Sequence, residues 1–412
     1  MQAEDRTARI LLRGGAVLDV DAGALRRADV LVEGRSIVAV APGLAPGSAR
    51  VVELKGRTVM PGLIDCHVHV CADGMVPYPT LFPSLVTARA SQLLKETLMR
   101  GFTTIRDMGG ADAGLRRAVE DGLFPGPRMF ISGRPLSQTG GHGDMRNPAD
   151  ACPACSLRAE ANMMVVADGV DAVRRAAREE VRRGVDQIKI MASGGVSSPA
   201  DPVDYDQYAL AEIEAVVDEA SRAGKYVAAH AYTPTAIARA TRCGVRTIEH
   251  GNFLDEATAS LMAAHGAILV PTLVVYRRVV QHAAEVGISA FHLEKAREVL
   301  ATGTRSLEIA LRAGVRMALG TDLFRAPKQY QAEELLIRAE ALPEAEVLRQ
   351  ATIHGASVVR MENRLGRVAE GYLADLLVVD GDPLANLRLL QDQGAHLSMI
   401  LKEGAVVRGA LD

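Results

Sequence analysis

Residues 222–250 read RAGKYVAAHAYTPTAIARATRCGVRTIEH. One unit occurs twice in this stretch: a helix end with a basic residue, a glycine, a short apolar run, and a histidine (His230, His250) at its close. Glycine after a helix suits a left-handed C-cap, and an apolar run bounded this way reads as a buried parallel strand. Between the two copies, Thr233-Pro234 supplies an N-cap followed by proline at the first helical position. The unit is therefore helix, cap, strand, cap, helix.

Working outward, the unit recurs at MRGFTTIRD (99–107), RRGVDQIKI (182–190), AHGAILVPT (264–272) and RAGVRMALGTD (312–322). Adding PGLIDCHVHV (61–70) and GPRMFISG (126–133) gives eight strands over residues 60–365. Helical spacing supports the helices between them, as with Leu210, Ile213, Val216, Val217 and Ala220 in 207–223. The expected fold is α/β, a (β/α)₈ TIM barrel. Both chain ends differ in texture: residues 1–59 and 366–412 carry short alternating runs and no long amphipathic helix, which predicts one composite β-sandwich domain built from the two ends.

Composition narrows the function. The 412 residues are 48% hydrophobic and 24% charged with net charge −3, and they include no tryptophan. That balance has no basic block for tracking phosphates and few aromatic residues for stacking bases, so nucleic acid is not an expected partner. No uninterrupted apolar run reaches membrane-spanning length, so no membrane partner is expected either. Five cysteines are too few for a disulfide scaffold and fit a reducing, cytoplasmic setting, a removed signal peptide being the alternative. Of 47 basic residues only seven are lysines, and one of these, Lys189, interrupts the apolar run Ile188-Lys189-Ile190-Met191.

In a barrel of this kind the active site lies at the C-terminal ends of the strands. Asp107, Lys189, His230, His250 and Asp322 all fall there, as do His67 and His69. In His67-Val68-His69 the period of two puts both imidazoles on one face, a ready pair of metal ligands, although HxH alone is weak evidence. Lys189 reads either as a snorkelling strand-end lysine or as an amine made neutral and nucleophilic by burial. His230 and His250, each taken alone, read as core histidines; together they read as ligands. Asp322 is either the N-cap of the next helix or a ligand and general base.

These motifs resemble the amidohydrolase superfamily of metal-dependent hydrolases: PGLIDCHVHV on the first strand, lysine on the fourth, histidines on the fifth and sixth, aspartate on the eighth. The stretches Gly140-Gly141-His142-Gly143-Asp144, Lys189-Ile190-Met191-Ala192-Ser193-Gly194-Gly195, His230-Ala231-Tyr232 and Ile248-Glu249-His250-Gly251-Asn252 look like the imidazolonepropionase-like and prolidase-like dipeptidase branch, which includes ochratoxin-hydrolysing enzymes. The resemblance implies two divalent metal ions, normally zinc. His67, His69 and Asp322 would hold one, His230 and His250 the other, with Lys189, carboxylated by CO₂, bridging. The implied substrate is a dipeptide or N-acyl amino acid, cleaved at the amide next to a free carboxylate by water activated between the cations.

In this reading Asp322 moves the proton and His142 stabilises the oxyanion, a surface-loop histidine being the alternative for the latter. Tyr232 either hydrogen-bonds the substrate carboxylate or packs against the rim. Asp107 is expected to be structural, ion-paired with a neighbour such as Arg106 or capping a turn. Cys66 packs as a small apolar residue; Cys152 and Cys155, in CxxC spacing without a second pair, are free thiols or a loop-closing disulfide, within a 142–165 excursion that is a candidate lid. Such barrels are often homo-oligomers. Two other functions remain open at this point: hydrolysis or deamination of cyclic amides and heterocycles, and a catalytically inactive scaffold of the same fold.

Overall fold

The six glycines that end helices in the repeated unit, at 101, 184, 224, 244, 266 and 314, all take left-handed backbone, from φ 64° at Gly266 to 91° at Gly101. A side chain there would be strained, and the reversal lets each helix drop directly into the next strand. The computed structural model describes residues 9–72, 82–146, 163–199, 201–285, 288–324 and 327–409. Cys152 and Cys155, with most of the 142–165 excursion, lie outside the described residues.

The strands that follow the caps form two parallel sheets. One has the order Arg128–Ile131, Phe102–Asp107, Leu63–Val68; the other has Val165–Val166, Leu136–Ser137, Ile188–Met191, Val227–Ala231, Thr247–His250, Ile268–Val270. Asp186 N–H donates to Ile131 O (2.8 Å) and so links the two. Seven of the eight expected strands are regular, and the two-residue pair Leu136–Ser137 and Val165–Val166 was not anticipated. The eighth, within 312–322, forms only an isolated bridge from Met317 to Leu269. It is still bonded on both sides: Ala318 N–H donates to Leu269 O (2.9 Å), and Cys66 N–H donates to Leu319 O (2.8 Å). Gly320 shows how closely this run lies against its neighbours, since a Cβ there would sit 2.7 Å from Val270 Cγ1 and 2.9 Å from His67 Cβ.

The helices largely follow the sequence. Thr233 accepts from Ala236 N–H as the N-cap of Pro234–Arg242. The expected 207–223 helix runs from Leu210 to Arg222 and buries Ile213, Val216 and Ala220, but Leu210 itself is exposed because it occupies the first turn. Among the described residues no helix is long and apolar enough to cross a membrane.

Strands from both chain ends share one six-stranded sheet, in which Leu376–Val379 runs antiparallel to Thr58–Pro61 with Leu377 opposite Met60. A four-stranded sheet from residues 9–53 accompanies it. Ile10, Leu12, Val30, Val59, Leu376 and Val378 belong to the apolar cluster common to the two.

The eighth run is also held from the helical layer. Buried Arg338 donates to Glu334 Oε1 (2.8 Å), Gln350 Oε1 (2.6 Å), Ala318 O (3.1 Å) and Pro271 O (2.6 Å). Removing one member of such a buried pair leaves an uncompensated charge. Arg338→Ala is expected to cost about 3–5 kcal/mol in denaturant unfolding, and a loss below about 1 kcal/mol would show that Arg338 does not hold this run.

Candidate metal centre

The Leu63–Val68 strand delivers His67 and His69 to the end of the sheet, and each imidazole is oriented through one nitrogen. His67 Nδ1 lies 2.8 Å from Glu249 Oε2, and His69 Nδ1 donates to Gly109 O (2.9 Å). Both Nε2 atoms face Asp322, at 3.6 Å from His67 and 3.2 Å from His69 to Oδ1. Asp65, one turn of the pleat below, accepts from His67 N–H (3.1 Å), Thr321 Oγ1 (2.7 Å) and Gln331 Nε2 (2.9 Å). Burial pushes its carboxyl up to about 6.

Asp322 is not a helix cap. Its backbone N–H donates to His67 O (2.8 Å), its φ is 46°, and its carboxylate is turned toward the imidazoles. His250 shows a second backbone departure. An unbroken strand would send Glu249 and His250 to opposite faces, but φ is 74° at His250, and both side chains meet His67: Glu249 at its Nδ1, His250 with ring centroids 5.0 Å apart. His250 Nδ1 is 2.7 Å from Thr272 Oγ1 and 3.1 Å from Tyr276 OH.

One donor atom each from His67, His250 and Asp322 lies within 4.8 Å of the others. Burial holds the His67 and His230 imidazoles well below their ordinary pKa and brings His250 down to about 3. All three are therefore neutral near pH 7, the form that lends a lone pair to a metal. Neutral imidazoles oriented by hydrogen bonds on their far side, beside an ionised carboxylate, are a donor set that fits a zinc-like divalent ion.

Lys189 is buried on its strand, and that burial brings its amine down to about 8. The ladder pairs it with Ala228 and pairs His230 with Glu249, one residue short of His250. His230 Nε2 donates to Gly194 O (3.0 Å), leaving Nδ1 free for a ligand; its ring lies 4.6 Å from that of His250 and stacks on His142 at 4.2 Å. His142 is thus a buried neighbour of the cluster and not a surface-loop residue. Tyr232 forms part of the buried wall, 4.8 Å from the His230 ring, and its hydroxyl meets that of Tyr276 at 2.5 Å.

One of the two readings of Asp107 held. Asp107 caps a turn, accepting from the N–H groups of Val70 (2.8 Å), Gly109 (3.0 Å) and Ala111 (3.2 Å). Its sequence neighbour Arg106 is not its partner: Arg106 Nη2 donates to both Glu249 oxygens at 2.9 and 2.8 Å. Residues alternate along the strand, so the two side chains leave on opposite faces. Sequence reading quoted Glu249 but gave it no role, and it passed over Thr272 and Tyr276. A glutamate inside a buried Thr-Ile-Glu-His strand is the signal that was available.

The Amidohydrolase family matches residues 58–407. The chain is 32% identical over 375 residues to the ochratoxinase of Aspergillus niger, covering 85% of this chain and 76% of that one. Among solved structures, a prolidase complexed with N-methylphosphonate-L-proline is 47% identical with TM-score 0.93, covering 98% of this chain and 100% of that one. A Xaa-Pro dipeptidase with bound methionine is 28% identical with TM-score 0.88 over the same shares. With the family model matching residues 58–407 and a relative 32% identical over most of its length, this chain belongs to the amidohydrolase family.

Proposed function

We propose that the protein is a binuclear metal-dependent amidohydrolase that cleaves an amide bond next to a free carboxylate, acting on dipeptides ending in proline and on N-acyl amino acids of the ochratoxin type. The observation that carries this is the neutral, pre-oriented imidazole set around ionised Asp322. The likeness to a prolidase bearing a proline phosphonate and to ochratoxinase supports the substrate class. In this reading the two parallel sheets are arcs of one (β/α)₈ barrel, closed through residues 317–319 and joined to a composite domain of residues 1–59 and 366–412.

In this reading His67, His69 and Asp322 would hold one divalent ion and His230 and His250 the other, with carboxylated Lys189 as a ligand shared by both. Carboxylation would follow attack of the neutral Nζ lone pair on CO₂: a C–N bond is made, one C–O π pair moves onto oxygen to give the carbamate anion, and the amine proton leaves to solvent. When bound, the two ions lower the pKa of a water and polarise the scissile carbonyl. Asp322 orients that water, takes its proton during attack, and returns the proton to the leaving nitrogen. His142 donates to the carbonyl oxygen as charge builds there. Tyr232, steadied by Tyr276, offers its hydroxyl to the substrate carboxylate.

Protein reconstituted with Zn²⁺ and bicarbonate is expected to hydrolyse Xaa-Pro dipeptides or N-acyl amino acids, with two metals per chain by elemental analysis. Turnover of ring amides alone would overturn the substrate reading. Well under one metal per chain, with no activity, would support an inactive scaffold. Lys189→Ala is expected to lower metal content to one ion or fewer and activity by about a hundredfold or more; full activity with two bound metals would exclude the bridge. Glu249→Gln, which strands the Arg106 charge and loosens His67, is expected to weaken metal affinity about 10- to 100-fold. Unchanged affinity in a metal titration would remove Glu249 from the support of the site.

A further inference from the structure

His142 is clamped by residues for which the reaction has so far no use. Its backbone N–H donates to Gln207 Oε1 (2.9 Å), and its Nδ1 lies 2.8 Å from Ser198 Oγ. Gly195 closes over the ring so tightly that a Cβ there would come within 2.1 Å of His142 Cε1. The ring also stacks on His230. Asp201, wholly buried, accepts through Oδ2 from Gly195 N–H (3.0 Å) and Gln207 Nε2 (3.1 Å), while its Oδ1 has no hydrogen-bond partner among the described residues. Asp201 Oδ2 is 3.9 Å from His142 Nδ1. From the Ala290–Arg312 helix, Lys295 Nζ donates to the backbone oxygens of Ser198 (3.3 Å) and Asp201 (2.9 Å).

The Ser198 hydroxyl has one proton and two acceptors in reach: His142 Nδ1 at 2.8 Å and Gly195 O at 3.3 Å. Given to the nearer one, that proton makes Nδ1 an acceptor and leaves the neutral ring protonated at Nε2. An Nε2–H ring can donate to a carbonyl oxygen, whereas the opposite tautomer presents a lone pair there and repels it. A buried carboxylate with an unpaired oxygen is costly. Asp201 is retained at that cost because it fixes both segments that grip the ring, Gly195 directly and His142 through Gln207.

We propose that Ser198 and Asp201 are positioning residues that act through His142, Ser198 by selecting its Nε2–H tautomer and Asp201 by fixing the clamp that holds the ring. The inference rests on the reading of His142 as oxyanion donor, and the experiment separates the two. Steady-state kinetics on a cleaved dipeptide would compare wild type with His142→Asn, Ser198→Ala, Ser198→Thr, Asp201→Asn and the double variant His142→Asn/Ser198→Ala.

Ser198→Ala is expected to lower kcat about 10- to 100-fold with KM within about twofold, and Ser198→Thr, which keeps the hydroxyl, to recover most of the loss. Asp201→Asn is expected to lower kcat in the same way, by about three- to tenfold. The double variant is expected to match His142→Asn within about twofold, because Ser198 has nothing left to position. Independently of activity, ¹⁵N NMR of histidine-labelled protein, with the His142 signal assigned by its loss in His142→Asn, is expected to show Nε2–H in wild type and a changed tautomer in Ser198→Ala. Additive losses in the double variant, or an Nδ1–H ring in wild type, would overturn the positioning role alone. Wild-type kcat in His142→Asn would overturn the reading of His142 and this inference with it.

Discussion

The Arg106–Glu249 pair lies beneath everything the site does. Both side chains are wholly buried, and taking two charges out of water costs several kcal/mol per ion unless geometry and further hydrogen bonds offset it. Here they do. Arg106 reaches both Glu249 oxygens, Cys66 O (2.6 Å) and Thr247 Oγ1 (3.0 Å), and Thr247 in turn donates to Glu249 Oε1 (2.6 Å). Burial acts to lower the arginine's pKa, but the carboxylate beside it holds it above its ordinary value. Three strands separated in sequence are thereby tied at one level. The pair's outer oxygen then sets the ring of His67, so a structural ion pair and the orientation of a metal ligand are the same contact.

Above that pair the cluster depends on backbone that leaves the strand pattern. His250 and Asp322 both have positive φ, a conformation side-chain-bearing residues adopt at a cost of about 1–3 kcal/mol and keep only where surroundings over-determine it. The surroundings are visible: Thr272 and Tyr276 hold the His250 ring, and the His67 carbonyl takes the Asp322 N–H. The strain lets neighbouring residues on one strand serve two levels of the site, Glu249 as support and His250 as ligand.

That arrangement explains what could be read in the chain. Glycine caps and strand-end histidines recur at fixed spacing, so the parallel strands were legible from local pattern. The run 312–322 carried the same glycine, yet its regular pairing is lost where Gly320 lies against the first strand, a contact between distant segments. Arg106 was legible as a charge, but its partner is on another strand, so of the two readings of Asp107, ion pair with Arg106 or turn cap, only the cap held. The Ser198 and Asp201 clamp comes from an irregular loop whose residues have no period, and only the fold brings them to His142.

The sheet shared by the two chain ends bears on how the molecule is made. Among the described residues, Thr58–Pro61 finds its antiparallel partner only in Leu376–Val379. During synthesis the early strand must wait for roughly 300 further residues, at about 5–20 residues per second on the order of 15 to 60 seconds. Through that interval the edge of an apolar strand stays unpaired, a template for pairing with another chain. The helical units between can form as they emerge, since each cap joins near neighbours, whereas the sheet of the two ends closes last. Until then the unpaired edge of Thr58–Pro61 is the place where a newly made chain is open to misassociation.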